Sequence, residues 1–105
     1  MNDREYCLNT ANIIMGQMKA NRLRAMIGAR DFCSMRTPGL QFKFSGCRKA
    51  NVCEVIYNAG NDNYTMTFGK IVKFNYTPNV ATFNGLYFDA LVTTLEVFTG
   101  LACTL

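Results

Sequence analysis

At 105 residues the chain has the length of one domain, spanning 1–105, which suffices for one hydrophobic core and not for a core plus an elaborate buried active site. Half of its residues are apolar and 17% are charged, a balance that excludes the high-charge, low-hydrophobicity regime of disordered chains. The net charge of +4 is segregated: Lys19 to Lys49 holds eight of the eleven basic residues against the single acid Asp31, so this segment carries +7 and the remainder −3.

From Arg4 to about Lys19, Leu8, Ala11, Ile14, Met15 and Met18 recur at spacings of three and four, the stripe of an amphipathic helix. Asn21 and Gly28 bracket a second, short helix with Leu23, Met26 and Ile27 facing inward and the glycine marking its end. Arg30 follows just past that turn. Thr37-Pro38-Gly39 is a turn signal, after which Leu40, Phe42 and Phe44 alternate with Gln41, Lys43 and Ser45 as in a half-buried strand.

Gly46 to Lys49 reads as a basic loop, and Val52 to Tyr57 as a second strand. The turn composition Asn58 to Asp62 precedes Tyr64, Met66 and Phe68 at the strand period, which predicts an antiparallel hairpin. Ile71 to Tyr76 either extends that strand or forms another, and Thr77-Pro78-Asn79 is expected to end it. Asn84 is a good N-cap for a last helix with Leu91, Leu95, Phe98 and Ala102 on one face, closed by Gly100 with Leu101 folding back onto Leu95.

The order is α-α-β-β-β-α. It predicts an α+β fold in which the N-terminal and C-terminal amphipathic helices cover one face of an antiparallel sheet of three or four strands. The sheet's other face stays partly open, and periodicity leaves Tyr57, Tyr64 and Phe68 as candidates for either face.

No apolar run approaches the roughly 18 residues of a spanning helix, so no membrane partner is expected. The opening Asn2-Asp3-Arg4-Glu5 lacks the basic and apolar stretches of a secretory signal, which points to the cytoplasm. Five cysteines, Cys7, Cys33, Cys47, Cys53 and Cys103, form no CxxC pair and read as reduced, buried thiols. The sequons at Asn63 and Asn75 have meaning only in a secreted chain.

With no histidine, the chain lacks the base of Ser-His or Cys-His chemistry, and zinc would have to be held by cysteines and carboxylates whose spacing matches no usual structural site. The glycines form no phosphate-cradling motif. A thiolate at Cys47 beside Arg48 and Lys49 is the one nucleophile to weigh, against a loop cysteine without special role. No enzyme activity, metal or cofactor is therefore expected. The basic set Arg22, Arg24, Arg30, Lys43, Arg48 and Lys49 is the candidate binding site, either a patch for an anionic partner or a solvated face. Phe42 and Phe44, or Tyr57 and Tyr64, are candidates for stacking on bases. No recognised nucleic-acid motif accompanies them.

The stretches Ile14-Met15-Gly16-Gln17-Met18 and Asn21 to Phe32, then Leu40-Gln41-Phe42-Lys43-Phe44, the basic turn up to Asn51, Asp62 to Phe68, Leu86 to Leu91 and Thr99-Gly100-Leu101 resemble, over nearly the whole chain, a family of small uncharacterised proteins of bacteriophages and mobile elements. Gly16, where a longer side chain is expected, and Cys103 depart from that pattern. The family carries no established activity. The resemblance implies action by binding inside a bacterial host cell, on an acidic protein surface or nucleoprotein complex, with anti-defence inhibition of the anti-CRISPR kind as its most concrete form. The alternative is a direct DNA- or RNA-binding accessory module using the same cations.

Overall fold

The computed structural model describes residues 3–101. Two helices, α1 (Asp3–Met18) and α2 (Ala20–Ile27), precede five strands, β1 (Arg30–Ser34), β2 (Gly39–Lys43), β3 (Val52–Asn58), β4 (Asn63–Val72) and β5 (Asn75–Leu86). A 3₁₀ turn at Phe88–Ala90 leads into α3 (Leu91–Thr99). The strands pair antiparallel in chain order, β1-β2-β3-β4-β5. The class is α+β as expected, with five strands where three or four were expected.

The register Leu40↔Val55↔Met66 and Phe42↔Cys53↔Phe68 puts both members of every pair on a common face, and all six are buried. Ala11, Ile14 and Met18 of α1, Leu23 and Ile27 of α2, and Leu91 and Leu95 of α3 close this face as one core. Phe68 is its hub. Its ring stacks on Phe98 at 4.3 Å and meets Phe44 and Phe83 edge-on at 6.3 and 6.0 Å. Tyr57 and Tyr64 share this face, their rings 5.3 Å apart, which settles their side of the sheet together with Phe68.

The glycine expected to end α2 does so: Gly28 takes a left-handed φ of 65° and its N–H returns to Leu23 O. Gly100 ends α3 in the same conformation, donating to Glu96 O. Leu101 packs against the core, and Ala102 and Cys103 lie outside the described residues.

Five expectations change. Arg30–Ser34 is a strand, not a connection. It is an edge strand that turns only Phe32 inward, and Asp31 at φ 56° shifts its register between Arg30 and Cys33, so no alternation marked it. Thr77-Pro78-Asn79 does not end a strand, because β5 lies at the other edge, where a proline without N–H is tolerated and a register shift absorbs Asn79 at φ 58°. Asn84 caps no helix; it sits in β5 and its Oδ1 accepts from Thr65 Oγ1 at 3.1 Å. On α1 the buried stripe runs through Cys7, Thr10, Ala11, Ile14 and Met18 and leaves Leu8 exposed. The thiols divide as well: Cys7 and Cys53 are buried, Cys47 is half-buried and Cys33 is exposed.

Candidate anion-binding end of the sheet

Antiparallel order brings the start of β1, the end of β2, the β2–β3 loop and the β4–β5 hairpin to one end of the sheet. Arg30 and Lys43 are direct cross-strand partners there. Lys43 Nζ lies 3.6 Å from the exposed carboxylate of Asp31. The guanidinium of Arg30 donates through one nitrogen to Ser45 Oγ at 2.9 Å and Gly28 O at 3.3 Å. Both acceptors are neutral, so its charge is oriented without being cancelled, and a guanidinium has further N–H groups for an outside anion. Arg30 and Lys43 line, with Asn51, Val52 and Ile71, a depression of about 170 Å³ on the open face.

The β2–β3 loop reaches this end by two further contacts. Lys49 Nζ sits 4.5 Å above the ring of Phe98, and the carbonyl of Arg48 accepts from Lys70 Nζ. Lys70 and Lys73, which belonged to no expected site, thus join this end through β4 and its turn. An explicit reading of Lys73-Phe74 as a turn between two paired strands was the signal that could have found them.

The hairpin extends past β3, whose ladder with β4 ends at Val52↔Gly69. Beyond it, Asn51 Nδ2 donates to Ile71 O at 2.7 Å while Asn51 Oδ1 accepts from Ile71 N at 2.8 Å, so a side-chain amide replaces the missing ladder residue. Tyr76 crosses over Gly69 and its hydroxyl donates to Glu54 Oε1 at 3.3 Å. Burial, and then Glu54, push the Tyr76 phenol above its ordinary pKa. At the tip, Phe74 is fully exposed and Val72 about half exposed.

The two remaining cations of the expected set lie apart. Arg24 is exposed on α2, donates to Asn21 Oδ1 at 2.6 Å and covers the ring of Phe32 at 4.7 Å, flanking the β1 edge. Arg22 lines a depression of about 330 Å³ between α1 and α3 together with Asp89 and Glu96. Phe42 and Phe44 are buried in the core, which removes them as base-stacking surfaces. Tyr57 and Tyr64 lie at the opposite end of the sheet, hydrogen-bonded to Asp62 at 2.6 Å and Gln17 at 2.9 Å. Among the described residues no three of His, Cys, Asp or Glu group to hold a metal ion, and no helix is long and apolar enough to cross a membrane. Compared with protein-family models, curated proteins and solved structures, the chain matches none.

Proposed function

We propose that this chain is a non-enzymatic binding protein that engages a polyanionic surface of a host or phage macromolecular complex through the basic end of its sheet. Anti-defence inhibition is the concrete form that the phage resemblance suggests. The observation that carries the reading is the gathering of Arg30, Lys43, Arg48, Lys49 and Lys70 at one end, drawn from four separate stretches of chain, with Arg30 and Lys70 donating to neutral acceptors and Asp31 the one carboxylate paired with the set. Such an end presents a predominantly positive field that speeds encounter with an anionic partner and fixes its orientation.

Direct contact with nucleic acid is favoured by one specific feature, the exposed Phe74 on a hairpin that carries Lys70 and Lys73. Cations along a backbone and an aromatic face for a base are the two parts of single-strand binding.

A salt-titrated binding assay against short single-stranded and duplex DNA and RNA tests the reading. Affinity should fall with salt at a log–log slope of about −0.7 per phosphate contacted on single strands and about −0.9 on duplex. The pair Arg30→Glu/Lys43→Glu should abolish binding, while Arg22→Glu, facing Asp89 and Glu96, should leave it nearly intact. Full binding by the double variant would sink the site. Absence of any nucleic-acid binding at low salt would assign the end to an acidic protein surface.

A further inference from the structure

The β4–β5 hairpin breaks two local rules at once. Its tip places Lys73 at φ 56°, a left-handed conformation for which glycine, asparagine or aspartate is the usual choice, and follows it with the most exposed large apolar side chain of the described residues, Phe74. The core does not need Phe74, which is not among the hydrophobic residues packed against it. The hairpin is nevertheless braced on both flanks, by the paired amide of Asn51 on Ile71 and by Tyr76 lying over Gly69 to reach Glu54. A strained lysine followed by a water-exposed aromatic on a stiffened support marks a functional position, because stability alone would remove the pair.

We propose that Phe74 is a stacking platform for an unpaired base of single-stranded nucleic acid, whose flanking phosphates are taken by Lys70 and Lys73 and by Arg30 and Lys43 in the adjoining depression. This rests on the direct nucleic-acid reading above. Every base has a π-face, so one aromatic ring beside a cationic track gives affinity without sequence motif, in keeping with a chain that has none. A single strand fits better than a duplex, whose bases are already stacked and must be pried apart before a ring can enter. The bracing lowers the ordering cost on binding, since the ring is already presented.

The surroundings argue against other occupants. A lipid surface would meet only Val72 and Phe74 as apolar anchors at the tip, while Tyr76 is turned back onto Glu54. A second copy adding a strand to β5 would face Pro78, which has no N–H to give, and the irregular backbone at Asn79.

The chain has no tryptophan, so Phe74→Trp installs a single reporter that can be excited apart from the tyrosines. On titration with oligo-dT its emission should be quenched in step with binding measured by anisotropy of the labelled oligonucleotide. Phe74→Ala should weaken binding about 5- to 150-fold. Lys73→Ala should reduce the salt slope by about 0.7. Circular dichroism of each variant confirms the fold. If the oligonucleotide binds with unchanged affinity to Phe74→Ala, or saturates Phe74→Trp without quenching, the platform is refuted while the basic end stands. If the unmodified chain binds no oligonucleotide at all, the nucleic-acid reading falls and takes the platform with it. Equal quenching by duplex overturns the single-strand assignment, and a response only to phosphatidylserine vesicles, or a Phe74-dependent dimer on sedimentation, assigns the tip to lipid or to self-association instead.

Discussion

Asn51 holds Ile71 by both atoms of its side-chain amide, donating to the carbonyl at 2.7 Å and accepting from the amide at 2.8 Å. The backbone of Asn51 at the same time donates to Gly69 O and accepts from Phe44 N, so one residue joins the ends of β2, β3 and β4. Asn51→Ala removes both side-chain bonds and leaves two half-buried peptide groups to water. A loss of about 1–3 kcal/mol in urea unfolding is expected. Hydrogen exchange should localise it, with the Ile71 amide losing protection while Met66 in mid-strand keeps its own.

Gly69 is the point over which Tyr76 crosses. A Cβ there would lie 2.8 Å from Tyr76 Cε1 and 3.2 Å from Thr77 O, so Gly69→Ala must displace the ring or bend the hairpin. A destabilisation of about 1–3 kcal/mol is expected. In a Tyr76→Ala background the same substitution should cost clearly less. Additive effects in that double-mutant cycle would show that the clash is with the Thr77 backbone and not with the ring.

The sequence was legible where an element buries one clean face. Leu40, Phe42 and Phe44 alternate because β2 is interior to the sheet with helices on one side, and Gly28 and Gly100 stop their helices because each takes the left-handed conformation. Edges were not legible. β1 buries Phe32 alone, and β5 runs through a proline that would break an inner strand, so neither carried the alternation that identifies a sheet. The site divides by the same logic. Arg30 and Lys43 come together through strand pairing, with Arg48 and Lys49 in the loop that follows β2, whereas the burial of Leu23 and Ile27 sets the helical phase of α2 and carries Arg22 towards Asp89 and Glu96. Lys70 and Lys73 went unread because the Lys73-Phe74 turn that joins β4 to β5 contains no glycine to announce it.

Phe68 is fully buried and touches the rings of Phe44, Phe83 and Phe98, the last of which supports Lys49 from below. Phe68→Ala leaves a void at the junction of β4, β5 and α3, with an expected cost of about 3–5 kcal/mol by chemical denaturation. Phe68→Leu should retain most of the stability. Because Phe98 then loses its stacking partner, the Lys49 side chain should become more mobile even in the leucine variant, visible as sharpening of its Nζ-adjacent methylene resonances.

At the opposite end, Tyr57 donates its hydroxyl to Asp62 Oδ1 at 2.6 Å. That hydrogen bond is the main reason its phenol is pushed up from 10.0 to about 12, with burial and the carboxylate's charge acting in the same direction. The folded state therefore keeps this proton more tightly than the unfolded chain does. The bond's contribution to stability is fully present below pH 10, the unfolded value, and is lost as the pH rises towards about 12. Ultraviolet titration of tyrosinate should show its highest step disappear in Tyr57→Phe. In Asp62→Asn, where the acceptor is an amide without charge, the Tyr57 step should move down towards the ordinary tyrosine range and the alkaline loss of stability should flatten. An unchanged highest step in Asp62→Asn would show that burial, not the carboxylate, holds the proton.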